Sequence, residues 1–437
     1  MKRICLCFVL LSFSLIGVAE SLKLEITLEK AIDIALTDNP SIVVAGQEVK
    51  KKDYANKEAM AALYPTLEAG GQYTRTIKKQ SLAFQGQSVQ IGTSNQWAGG
   101  FTASLPLFAP TLWKSINISK EDMQLAVERS RASKIRAIAE VKNAFYTVLL
   151  TQDSYNVLKH SYDNAVDNHR DIRQKYENGI LAEFDLIRAN VRVKSLEPSM
   201  IQAENGINLS KMQLKVLMGL EMDVEIDAVG KLSDYEPDMY ATLMGADTSL
   251  LNNSDLKQVA QQDRILKETL ALHKSQYLPT IALSGAYQWV AMNDNFTINK
   301  NEYNPFSNAV LSLSIPIFDG ASKRNKIRQT NITISQLRVQ ENDLRRNLQL
   351  AVRNNIDALS KSIEAAAAAK EGVAEAERGY TIALKMYDTG MATLLEVNEA
   401  DLARVSASLQ HKQAIFDFLS AKANLDNIVG VESNSKQ

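Results

Sequence analysis

Apolar residues along this 437-residue chain follow two rhythms. In four short stretches they alternate with polar ones. Trp97, Gly99, Phe101, Ala103, Leu105 and Leu107 share one face, and Gln96, Gly100, Thr102 and Ser104 share the other. Ile281, Leu283, Tyr287 and Trp289 stand opposite Ser284 and Gln288, while Leu311, Leu313, Ile315 and Ile317 stand opposite Ser312 and Ser314. A weaker first stretch puts Leu67, Ala69, Gly71 and Tyr73 on one side. A period of two predicts strands. About ten alternating residues with aromatics near the ends suit a strand that crosses lipid in a barrel. Trp97, Trp113 and Trp289 fall in or beside these stretches, where an interfacial belt would hold them. A soluble β-sandwich produces the same alternation. The polar loops Ile77–Asn95 and Ala291–Asn304 would be external in the barrel reading.

Elsewhere the apolar spacing is three and four. Between Pro110 and Gly179 there is neither glycine nor a further proline, which predicts one helix of roughly 100 Å. Leu158, Tyr162, Ala165, His169, Ile172 and Tyr176 form a coiled-coil seam along it. A second long helix carries Leu348, Val352, Ile356, Leu359, Ile363 and Ala366, with a thin face at Ala365–Ala369. The helix after Gly390 shows Leu402, Val405, Leu409, Phe416 and Leu419. Rods of this length bury such stripes only in a bundle.

These elements occur twice. Tyr64-Pro65-Thr66-Leu67 returns as Leu278-Pro279-Thr280-Ile281, and Ser104-Leu105-Pro106-Leu107-Phe108 as Ser314-Ile315-Pro316-Ile317-Phe318. Tyr176-Glu177-Asn178-Gly179 returns as Tyr387-Asp388-Thr389-Gly390, and Leu217-Met218-Gly219 as Ile428-Val429-Gly430. The near-constant offset of about 210 positions marks a duplication. Four strands do not close a barrel, which takes about eight, and lipid tolerates no open sheet edge. A barrel must therefore be assembled from several subunits.

Composition narrows the setting. Lys2 and Arg3, the apolar run Ile4–Val18 and small residues before a cleavage point after Ala19 read as an export leader. Cys5 and Cys7 both lie inside it, so the exported chain would rely on no disulfide. No later stretch is apolar enough for a membrane-spanning helix. The 49 basic and 50 acidic residues nearly cancel, which argues against a nucleic-acid partner. His169-Arg170-Asp171 lacks the spacing and setting of a kinase loop, and no phosphate loop, nucleophile elbow or metal-ligand spacing accompanies it. No catalytic site, cofactor or metal is expected. The leader and the missing disulfides favour the outer membrane over the alternative, a soluble exported coiled-coil scaffold with a small β-sandwich.

The ordered set of features resembles the TolC-type outer-membrane efflux channel family over nearly the whole chain. It rests on the duplicated unit, the opening Ala31-x3-Ala35-x3-Asn39-Pro40 helix and the paired Tyr-x-x-Gly turns. The resemblance implies a mixed α and transmembrane β fold. Four barrel strands and very long coiled-coil helices per chain would build a homotrimeric 12-stranded β-barrel that continues into an α-helical tunnel. It implies an exit duct in the outer membrane of a Gram-negative bacterium, with the helices in the periplasm, partnered by a periplasmic adaptor and an inner-membrane transporter. Along the chain this gives a leader over 1–19, N-terminal periplasmic helices over 20–63, and strand pairs with external loops over 64–109 and 278–318. Long helical hairpins follow over 110–220 and 319–430, with a linker over 221–250, an opening helix over 251–277 and a tail over 431–437.

The same resemblance places function at the tips. Tyr176, Gly179 and Gly390 mark the turns where the adaptor would dock. Glu396 and Glu399 match acidic rings that narrow the pore, favour cations and hold a metal ion as a plug. Asp185 and Tyr387 match a polar lock whose basic member is Ala392 here, leaving Arg188 or Lys385 to compensate. A solvated helix face remains the plain alternative for the two glutamates, and packing for the two tyrosines.

Overall fold

A computed structural model describes residues 24–84, 87–296 and 302–432. The leader expected over residues 1–19 lies outside the described residues. The chain runs β1 (Leu24–Ile26), α1 (Leu28–Asp38), α2 (Pro40–Ala61), β2 (Thr66–Arg75), β3 (Gln80–Phe84), β4 (Gln87–Ile91), β5 (Asn95–Phe108), α3 (Pro110–Glu177) and α4 (Glu183–Met218). It continues through β6 (Ile226–Ala228), a 3₁₀ turn (Leu232–Asp238), α5 (Met239–Met244), α6 (Ser254–Ser275), β7 (Thr280–Asn293), β8 (Asn304–Ser314), α7 (Ser322–Asp388) and α8 (Leu394–Val429).

The predicted strands form one antiparallel sheet in the order β2-β5-β7-β8. Register decides what its faces are. Leu67 lies opposite Ala103 and Tyr73 opposite Trp97. Phe101 lies opposite Tyr287 and Leu105 opposite Leu283. Leu283 then meets Leu311, and Ile281 meets Leu313. Because side chains alternate along a strand, these rungs gather the predicted apolar positions that lie within the paired strands on one continuous face. That face is open: Leu67 is 73 % exposed and Leu311 67 %. A sandwich would bury it against a second sheet, and among the described residues no second sheet covers it. The scaffold alternative fails on this point.

Two strand expectations change. β8 ends at Ser314, so Ile315 and Ile317 fall outside it, whereas its counterpart β5 runs on to Phe108 through a bulge after Pro106. β5 has β7 on its outer side to pair with, and among the described residues β8 has no neighbour there. The polar stretch Ile77–Asn95, expected to be loop, contains the β3–β4 hairpin.

The helices form a bundle of two storeys. α3 is one unbroken helix of 68 residues, and α7 has 67. The first half of α3 packs on α2 and α6, with Lys52–Asp122 at 2.6 Å and Lys114–Glu268 at 3.2 Å between them. Its second half packs on α4 and α8. No helix among the described residues is long and apolar enough to cross a membrane. The seam on α7 is buried at Val352, Leu359, Ile363 and Ala366. On α8 the expected stripe is buried at Val405 and Leu419 but fails at Leu402, which is 59 % exposed, and towards the tip it continues through Asp401, Val397 and Leu394.

The storeys meet at a waist where Phe145, Leu149, Leu214, Leu232, Ile415, Phe418 and Leu425 make the main core. Matching joints tie them there. Asn39 caps α2 and donates its Nδ2 to the Leu217 carbonyl at 2.6 Å; Asn253 caps α6 and donates to the Ile428 carbonyl at 2.6 Å. Gly219 and Gly430, at φ 75° and 83°, end α4 and α8 against those caps. A Cβ at Gly219 would strike the Asp38 carbonyl, and one at Gly430 the Asn252 carbonyl.

Candidate gate at the helix tips

At the far end both hairpins reverse by the same backbone device. Gly179 (φ 73°) donates to the Tyr176 carbonyl and Ile180 to Lys175; Gly390 (φ 75°) donates to Tyr387 and Met391 to Met386. A left-handed residue after the last turn lets the following N–H groups satisfy otherwise orphan carbonyls. Above these turns Ile172, Ala189 and Leu394 form a small core of their own, with Leu181, Leu186 and Tyr387 packed on it. Tyr176, by contrast, sits at the surface, 37 % exposed.

The next residues diverge. α4 begins after Ala182 with no side-chain cap, and only Glu183 and Asp185 answer the helix dipole. α8 begins with a capping box: Glu396 N–H donates to Thr393 Oγ1 at 3.4 Å, and the Glu396 carboxylate accepts from the Thr393 amide at 2.6 Å and hydroxyl at 2.9 Å. Those bonds from Thr393 hold the Glu396 carboxyl below its ordinary range. Glu396 is thus folded back on its own helix end within one chain. Glu399, one turn on, is exposed on the same helix.

Asp185 and Tyr387 come together without bonding. The Tyr387 hydroxyl is buried and has no hydrogen-bond partner among the described residues. Burial first, then the charges of Asp185 and Asp388, push its phenol up from the usual value. A basic residue that the resemblance did not name lies beside it. Arg188 stacks on Phe184 of its own helix, 5.3 Å from the ring centre. Lys175 of α3 lies 5.5 Å from the centre of the Tyr387 ring and 3.9 Å from Asp388.

A tighter polar node sits about two turns higher, and sequence reasoning missed it. The Asp401 carboxylate accepts from Ser161 of α3 at 2.6 Å, Arg192 of α4 at 2.8 Å and Arg404 at 2.8 Å. The Arg404 guanidinium lies 4.7 Å from the centre of the Tyr380 ring on α7. The carboxylate therefore joins α3, α4 and α8 directly, and Arg404 extends the node to α7. Burial, its largest single influence, favours the neutral acid, but the bonds from Ser161, Arg404 and Arg192 outweigh it and hold the carboxyl low. The signal was present: Asp401 lies in register with Leu394, Val397 and Val405, a carboxylate on an apolar stripe.

Residues 31–220 and 246–431 match the family model described as outer membrane efflux protein. The chain is 21 % identical over 348 residues to the outer membrane protein TolC of Vibrio cholerae, covering 78 % of each. Its fold is similar to the CmeC outer membrane channel of Campylobacter jejuni, with TM-score 0.74 and 16 % identity over 92 % of this chain and 85 % of that one. It is equally similar to the open state of the MtrE outer membrane channel of Neisseria gonorrhoeae, with TM-score 0.74 and 16 % identity over 92 % and 88 %.

Proposed function

The chain belongs to the outer membrane efflux protein family, and from that premise we propose how its tip works. It is an outer-membrane exit duct, a β-barrel joined to a helical tunnel in the periplasm, and efflux is its role. Three copies close the barrel, and Glu396 and Glu399 from each line the narrow end. An adaptor docks on the tips, where Ile180, Phe184, Met391 and Leu395 are exposed around Tyr176, Gly179 and Gly390; an inner-membrane transporter supplies energy and selects cargo. Asp185, Tyr387 and Lys175 form a weak lock, because Ala392 contributes no cation and the tyrosine hydroxyl is unbonded. The Asp401 node carries the restraint that the tip lacks.

The observation that carries this reading is the Thr393 capping box, which fixes the start of α8 and sets Glu396 and Glu399 on one exposed turn. Planar-bilayer recording tests it. Glu396→Gln keeps the capping geometry, since glutamine serves at that position, while removing charge; Glu399→Gln removes the second charge. The double variant is expected to lose most of its cation preference and to conduct more. Unchanged selectivity and current in both variants would remove these glutamates from the pore wall.

A further inference from the structure

We infer that the groove between α2 and the first half of α3 binds a small amphiphilic anion, an apolar body carrying one carboxylate or sulfonate head. The groove lies just above the waist, away from the gate at the tips. It measures about 610 Å³, within the range of cavities that hold small molecules.

Its walls divide by chemistry. Leu36 of α1, Val49 of α2 and Val127, Ile135 and Ile138 of α3 supply an apolar lining, and Lys50, Arg131 and Lys134 stand around it. Arg131 is already committed. It donates to Glu128 at 2.9 Å, to the Asn252 carbonyl at 3.0 Å and to Glu432 at 3.5 Å. Glu432, the one acidic residue lining the groove among the described residues, is thereby taken up. The ammonium groups of Lys50 and Lys134 have neither ion pair nor hydrogen bond among the described residues. An apolar hollow flanked by two unmatched cations fits a ligand with an apolar body and an anionic head. A neutral ligand would leave both lysines unanswered, and a cationic one would be repelled.

The depth comes from Gly46. Its φ is not left-handed, and a Cβ built there meets nothing within 4 Å. Neither backbone nor packing calls for glycine, which weakens a helix interior relative to alanine. What it keeps there is space.

The duplication supplies an internal control. The caps Asn39 and Asn253 stand 253 − 39 = 214 positions apart, so Gly46 corresponds to Ala260 and Val49 to Asp263. Asp263 pairs with Lys267. The groove between α6 and α7 measures about 470 Å³, with Ala260, Lys257, Glu341 and Arg345 on its walls. Glu341 lies 3.2 Å from Arg345, and Lys257 donates to Asn252 Oδ1 at 3.0 Å. The second repeat therefore matches its charges from within. The first keeps an apolar hollow and two free cations. A ligand there also touches Arg131, which holds the Asn252 carbonyl beside the Gly430 joint, so occupancy braces the waist.

Fluorescence titration of the full chain in lipid nanodiscs tests the site. The probe is 1-pyrenebutyrate, an amphiphilic anion that reports an apolar surrounding, and empty nanodiscs give the lipid background. Saturable binding is expected, with thermal melting shifted upward as probe is added. Gly46→Leu is expected to weaken binding about tenfold or more, since leucine takes the space of the ligand's body, while Gly46→Ala retains it. Lys50→Gln and Lys134→Gln should each weaken it about three- to fivefold, the reach of an exposed ion pair. The uncharged counterpart, 1-pyrenebutanol, should lose as much as the double lysine variant does. Equal affinity for the alcohol overturns the anionic head. Undiminished binding to Gly46→Leu overturns the groove as its place, and a parent chain without saturable binding overturns the site altogether. If Gly46→Leu is not exported, the two surface lysine variants decide: full affinity in both overturns the site.

Discussion

The two helical hairpins agree at the waist and part at the tip. At the waist Asn39 with Gly219, and Asn253 with Gly430, build the same joint almost atom for atom. At the tip both chains turn on a left-handed glycine, yet one following helix is capped by Thr393 and Glu396 while the other starts bare after Ala182. At the waist joint each glycine meets backbone so closely that a side chain there would not fit. The tip turns stand in open space, where nothing lies within 4 Å of a Cβ added at Gly179 or Gly390. Backbone joints tolerate little change after a duplication, whereas an open turn leaves its flanking side chains at liberty to specialise.

The largest effect that would sharpen this contrast lies at the Asp401 node, which has no twin in the other copy's geometry. Asp401→Ala strands two mostly buried guanidinium groups, and a loss of about 3–5 kcal/mol is expected, read as the melting of the detergent-solubilised trimer. The node is also acid-sensitive. Its folded carboxyl lies below its unfolded range, so its contribution is complete above the ordinary carboxylate range and is lost as pH falls through the lowered value. Asp401→Asn and the parent chain should therefore differ in melting at neutral pH and converge in strong acid. A constant gap across that range would show that charge is not what the node supplies.

Next come the glycines. Gly219→Ala or Gly430→Ala adds left-handed strain to a collision with backbone, and each is expected to cost about 2–5 kcal/mol. Gly179→Ala and Gly390→Ala carry the strain alone, roughly 1–2 kcal/mol. Equal losses at all four positions, measured by thermal melting, would erase the distinction between joint and tip.

The smallest change reverses the asymmetry of the caps. Thr393→Ala should destabilise the start of α8 by about 1 kcal/mol, and Ala182→Ser should stabilise that of α4 by roughly half as much or more. Amide hydrogen exchange in the first turn of each helix reads both. If Ala182→Ser leaves exchange near Asp185 unaltered, the bare start of α4 is not what loosens that tip.

Period-two alternation placed all four sheet strands, because a lipid-facing strand must present apolar residues on one side whatever its neighbours do. It overran at Ile315 and Ile317, since a strand ends where its partner ends, and β7, the one strand paired with β8 among the described residues, begins at Thr280 opposite Ser314. Helical stripes identified Val352, Leu359 and Ile363 for the same reason that they mis-set Leu402: a stripe shows its pitch, but one carboxylate within it shifts which face turns inward. Tyr387 and Asp185 were set side by side only by the family resemblance, since no local pattern in the sequence links them. Lys175 and Arg192 escaped even that, because their partners stand on another hairpin and no local pattern links them. The β3–β4 hairpin escaped notice within a polar stretch that reads as loop.

One small pairing bears on how such a molecule is made. β1 lies parallel to β6, with Leu24 opposite Ile226 and Ile26 opposite Ala228. The partners are 226 − 24 = 202 positions apart, so this rung closes only after a strand pair, a long helix and its return have found their places. Loop closure over such a span is entropically late even though its thermodynamic cost grows slowly with length. The earliest segment of the described chain is thus among the last to be fixed, and a copy interrupted during assembly would keep its front end loose. Protection of Leu24–Ile26 from exchange during refolding would therefore time the completion of each subunit.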